Sequence, residues 1–282
     1  MKTRLFFQHN LLRPLSIRHP VRSIHKCNHA APFSTTPKRG RAPPIFINGE
    51  LQMSKRTPQD CTADNSADNI ERLLQADGFS KWGFAIYRCT YESDTDWTAF
   101  TTRLHAPVTK FLELDNRLDM LNSYAPTVIQ DRSFVGATTA TLRAHFRDIW
   151  TPNAFREENP GLSLNYLNVA EAGRYRFFIT VDQEALESVL SARGVNDGSS
   201  SNATGFVRFV KAEWDPDADM SYVRHYGEQE DNLVPLEGST VNDVGWMNVL
   251  YDQAQLFGYL TLQCDFDWED HYDRPPTIWA FE

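Results

Sequence analysis

The sequence predicts an α+β domain: a ferredoxin-like split βαβ sheet with an inserted helix and a C-terminal strand and helix extension. Three observations predict it. Two segments, Trp82–Tyr91 and Arg174–Val181, carry the aromatic and β-branched density of strands. Each is followed by a helical stripe and then by a second strand-like run, giving β-α-β twice. One further helix, Thr138–Trp150, lies between the two halves and reads as an insertion.

In chain order, the first helix spans Asp68–Ala76, with Ile70, Leu73 and Leu74 on one face and Gly78 as its stop. Trp82–Tyr91 is apolar on both faces, as a central strand is. Ser93 or Asp94 caps the next helix, whose stripe is Trp97, Phe100, Leu104, Val108 and Phe111; Pro107 should kink it or end it early. Ala125–Gln130 is a short strand. The inserted helix has Leu142, Phe146, Ile149 and Trp150 as its stripe and Pro152 as its end. Arg174–Val181 alternates, with Tyr175, Phe177, Ile179 and Val181 facing one way. Asp182 caps the helix Gln183–Arg193, Gly194 stops it, and the loop Gly194–Thr204 leads to the strand Phe206–Trp214. An acidic loop follows, then an apolar stretch, Val244–Leu262, which predicts a strand and a helix against the sheet's edge or open face. The expected helices at 93–111 and 183–193 cover the same face of one antiparallel sheet.

Charge divides the chain. Residues 1–49 hold nine Lys/Arg and no acid; residues 50–282 hold all 37 acids against 19 bases, so the net charge of −9 is +9 followed by −18. An acid-free, Arg-rich, Ser/Thr-containing leader has the composition of a mitochondrial presequence, drawn to the negative side of a membrane potential. Residues 1–49 are therefore read as that leader, 50–68 as a disordered linker and 69–282 as a single domain, placed in the mitochondrial matrix. Initiation at Met53 would remove the leader and leave a cytoplasmic protein. No run approaches the roughly 18 apolar residues of a membrane span. The acidic balance argues against nucleic acid as a partner of the folded part.

The chemistry-bearing residues are sparse. Cys27, Cys61, Cys89 and Cys264 form no CxxC, and Cys89, inside a strand pattern, reads as a small buried hydrophobe. Asn202 opens a glycosylation sequon that needs a secretory signal to be used. Asp265, Asp267, Glu269, Asp270, His271 and Asp273 form the densest acidic cluster; Asp265, Asp267 and His271 are the candidate metal ligands, set against a solvated helix start paired with Arg274. Asp215, Asp217 and Asp219 mimic a calcium loop, but Met220 replaces its glycine and Tyr226 its bidentate glutamate. Of His105, His145, His225 and His271, no two have ligand spacing; His145 and His271 are the candidate acid/base groups. Arg143 and Arg147, at i,i+4, could join Arg174 and Arg176 in an anion pocket, against the simpler reading of internal pairing. No phosphate-loop, dinucleotide, nucleophile-elbow or zincin motif is present, and no cofactor is expected.

The blocks WGFAIYRCTY, TATLRAHFRDIW, RYRFFITVDQEALESVL, DVGWM (243–247) and DRPP (273–276) resemble a large group of uncharacterised proteins of filamentous fungi. The likeness covers roughly residues 79–282. It implies one domain and a fungal source, and it transfers no site. Two functions follow. The first is a non-catalytic binding or interaction domain for a protein or small molecule, with surplus aromatics (Trp214, Tyr222, Tyr226, Trp246, Trp268, Tyr272, Trp279) lining a groove. The second is a small-molecule enzyme with a His/carboxylate pair on the open face of the sheet.

Overall fold

The run AIYR forms β1 (Ala85–Arg88), and all four residues are buried, as in a strand covered on both faces. The computed structural model describes residues 65–168, 172–192, 205–215 and 233–280. The basic leader, nearly all of the linker, Cys27, Cys61, Asn202, Asp217, Asp219, Met220, Tyr222, His225 and Tyr226 lie outside them. Around β1 stand β2 (Thr127–Gln130), β3 (Phe177–Val181), β4 (Phe206–Lys211), β5 (Trp246–Leu250) and β6 (Ile278–Trp279). They make one mixed sheet in the order β2-β1-β3-β4-β5-β6. β1 is parallel to both β2 and β3, β3–β4 and β4–β5 are antiparallel, and β5–β6 is parallel.

The chain is thus α+β, but the ferredoxin-like expectation is not met by this order. A split βαβ unit needs a strand between the two it connects, whereas β1 and β2 are direct neighbours, with Ala85 opposite Thr127. Strand patterns report burial, and burial on both faces does not say which strand lies alongside. β4 also ends at Lys211, short of the expected Trp214.

The helices follow local signals closely. α1 (Ser66–Asp77) starts at Asn65, whose side chain accepts from the Asp68 N–H, and stops at Gly78, held at φ 69°. α2 (Asp94–Leu114) is capped by Ser93 and runs through Pro107 without ending. Its buried stripe of Trp97, Phe100, Leu104, Val108 and Leu112 is continuous past the proline, so packing outweighs the lost backbone bond. α3 (Thr139–His145) passes into a π-helical turn, Phe146–Trp150, and then α4 (Thr151–Glu158). Pro152 does not end this segment; it lies just after the π turn, where the helical backbone continues into α4. α5 (Gln183–Ser191) is capped by Asp182. The stretch Val244–Leu262 yields β5 and α6 (Leu256–Thr261), with β5 inside the sheet, and α7 (Asp265–His271) follows.

Two cores flank the sheet. One joins Ile86, Phe177, Ile179, Phe209 and Met247 to α1, α2, α5 and α6. The other joins Ala85, Tyr87, Phe178, Val210 and Trp246 to Leu142 of α3 and Phe146 of the π turn. The helix expected to be an insertion is therefore the cover of the second face. α2, linking β1 to β2, packs on the first face; α3, on the way from β2 to β3, packs on the second.

Candidate functional site

That alternation matters. In an open α/β sheet, successive crossovers that depart to opposite faces leave a crevice at the carboxyl ends of the strands between them. Here the adjacent strands whose outgoing crossovers take opposite faces are β1 and β2, and an open cleft of about 480 Å³ lies at the carboxyl ends of β1, β2 and β3. It is lined by Cys89, Thr90, Tyr91 and Glu92 after β1, by Arg132, Val135 and Gly136 after β2, and by Asp182, Gln183 and Glu184 after β3.

The floor is tied together. Thr90 Oγ1 donates to Gln183 Oε1 at 2.5 Å, joining the loop after β1 to the start of α5. Arg88, at the end of β1, donates from Nε to Thr90 O at 2.9 Å and from Nη2 to Asp94 at 2.5 Å. Its guanidinium lies 4.2 Å from the Tyr91 ring centroid, and Arg132 covers the same ring at 4.9 Å. Asp182 accepts from the Ala185 N–H and pairs with Arg208, which also pairs with Glu184 at 2.6 Å. The N-terminus of α5 is thereby already capped and neutralised. Burial, with Asp182 nearby, pushes the Cys89 thiol up to about 12, so it stays protonated and is no nucleophile. The Glu92 and Arg132 side chains make no hydrogen bond or ion pair to another described residue.

The residues singled out from sequence sit elsewhere. His145 Nδ1 shares a hydrogen bond with Tyr87 Oη at 2.8 Å, its ring edge-on to Phe134 at 4.9 Å. Burial lowers its imidazole, opposed in part by Asp131, and burial raises the Tyr87 hydroxyl. Its resolved partner is a phenol rather than a carboxylate. His271 Nδ1 donates to Asp267 O at 2.7 Å within α7. Asp267 accepts from the N–H groups of Gln263 and Cys264, both at 2.9 Å, as a capping residue does. The Asp265 side chain lies outside the described residues, among which no three His, Cys, Asp or Glu side chains gather as metal ligands.

The four arginines do not converge on a shared opening. Arg143, buried, donates to Lys211 O, Val244 O and Gly245 O at 3.0, 3.2 and 2.9 Å, and burial pushes its guanidinium down to about 10. Arg147 reaches Ala212 O at 3.4 Å. Arg174, fully buried, forks onto Glu158 at 2.8 and 2.6 Å and onto Gly83 O and Ala125 O. Arg176 donates to Leu167 O at 3.2 Å. Of the surplus aromatics, Trp246 and Trp268 are buried, Trp268 stacking on Phe177, so these two serve packing rather than a groove.

Sequence reasoning passed over the cleft residues, because no motif marks them. The signal present was positional: Thr90–Glu92 and Asp182–Glu184 immediately follow the two strongest strand patterns, and that position gains meaning once the strands are known to be parallel. Comparison with family models, with curated proteins and with solved structures finds no match to this chain.

Proposed function

We propose that this chain is a non-catalytic binding domain whose ligand is a small polar molecule held in the cleft at the carboxyl ends of β1, β2 and β3. One observation carries the reading: the cleft occupies the place where crossovers on opposite faces open a crevice at the carboxyl ends of parallel strands. Its size lies within the range of small-molecule sites. The groups around it favour binding over chemistry, since Cys89 is held as a thiol and the cleft lining holds no histidine.

The test uses Val135, an exposed residue on the cleft wall. The full chain is screened by thermal shift against a metabolite library, beside Val135→Trp, which fills the cleft from a solvent-facing position. At least one compound is expected to raise the wild-type Tm and not that of the variant. Hits that survive Val135→Trp unchanged would remove the cleft from the proposal.

We further infer that the domain belongs to the fungal group it resembles and that residues 1–49 direct it to the mitochondrial matrix. The composition of that segment supports the second point. Terminal-peptide mass spectrometry of native protein checks it: a mature start between about residues 30 and 45 supports import. A start at Met53 or Ser54 overturns it.

A further inference from the structure

Four charged side chains line the cleft, and two of them are spent. Asp182 and Glu184 share Arg208. Two are not. Glu92 and Arg132 both line the cleft and both are exposed, yet neither bonds to another described residue. Arg132 is nonetheless positioned, because its guanidinium rests on the Tyr91 ring at 4.9 Å, with Arg88 4.2 Å from the same ring. Tyr91 also lines the cleft, and its Oη is shielded from solvent and has no hydrogen-bond partner among the described residues. Val135 adds an apolar wall.

The same cleft is poor for phosphate. Phosphate sites at strand ends use glycine-rich turns and free helix N-termini. The link from β1 to α2, Cys89–Ser93, has no glycine, and the first turn of α2 carries Asp94 and Asp96 behind the Ser93 cap. α5 starts with an occupied cap and Glu184.

Resting on the cleft reading, we propose that the ligand is a zwitterion of amino-acid or dipeptide size. Its carboxylate pairs with Arg132, whose planar fork suits a carboxylate. Its ammonium pairs with Glu92, and its side chain lies against Val135. Both unspent charges are then satisfied by one molecule.

The test is calorimetric titration of the full chain with the twenty L-amino acids and L-alanyl-L-alanine. The tightest binder is retested as its N-acetyl and amide derivatives. Arg132→Gln and Glu92→Gln, both at exposed positions, are expected to weaken binding at least about tenfold each. Amidation should be silent in Arg132→Gln, and acetylation silent in Glu92→Gln, because each removes the same pair. Binding left within about twofold by either substitution overturns the proposal, as does the lack of saturable binding of any probe by about 10 mM. The two levels separate cleanly. If the probes fail while a library compound is still displaced by Val135→Trp, the cleft stands and the zwitterion falls. If Val135→Trp displaces nothing, both fall.

Discussion

At the scale of single residues, burial sets two aspartates above the usual carboxylate range, and their partners give them opposite roles. Asp252 is raised by burial, and its Oδ1 has no hydrogen-bond partner among the described residues. A carboxyl raised in the folded state contributes stability that is complete below its ordinary value and is lost as pH rises through the raised one. Asp252→Asn removes that loss. It should stabilise the chain at pH 7, with the gain vanishing near pH 3, as read by urea unfolding at both pH values. Asp243 is raised by burial too, yet it accepts from Gly245 N at 2.6 Å and Trp268 Nε1 at 2.8 Å. Asparagine offers one acceptor where two are used, so Asp243→Asn should destabilise by about 1–3 kcal/mol under the same assay. Gly245 itself sits at φ +71°, and a Cβ there would stand 2.2 Å from Trp214 Cγ and 2.5 Å from Arg143 Nη2. Gly245→Ala is expected to cost about 3 kcal/mol or more by thermal unfolding. The block DVGWM is thus explained by packing around Arg143, a reason that becomes visible only in three dimensions.

At the scale of elements, legibility tracked how local the cause is. Caps at Ser93 and Asp182 and the stop at Gly78 were readable because each is settled within a few residues. The order of strands was not, since it depends on which faces the crossovers choose. The cleft inherited that blindness: Thr90, Glu92 and Gln183 acquire a shared location only from the parallel pairing of β1 and β3. Pro107 shows a local signal overridden. It removes one backbone donor within α2 and crowds the turn before it, and the helix persists because its buried stripe runs on to Leu112. Pro107→Ala should restore that bond and stabilise the chain by about 1–3 kcal/mol, read as a higher urea midpoint with an unchanged slope.

At the scale of the whole molecule, α1 shows that the domain reaches further towards the N-terminus than the resemblance beginning near Phe79. Ala67, Ile70 and Leu74 enter the same core as Phe177 and Tyr259. Asp68 and Glu71 meet Arg117, fully buried just beyond α2, which also forks onto Asp119 at 2.9 Å. Asn65 donates to Asp115 O at 3.1 Å, fastening the start of α1 to the end of α2. A buried charge stripped of its partner is far costlier than the intact pair is favourable. Arg117→Met leaves two buried carboxylates facing an apolar side chain and should destabilise by about 3–5 kcal/mol. Adding Asp68→Asn and Glu71→Gln neutralises them and should recover most of that loss. If α1 and the sheet form one cooperative unit, far-ultraviolet and tryptophan signals will shift together in each variant and keep coincident transitions. An early helical transition in Arg117→Met, with the tryptophan signal still at its wild-type midpoint, would show that α1 is a separately melting strap on a sheet that folds without it.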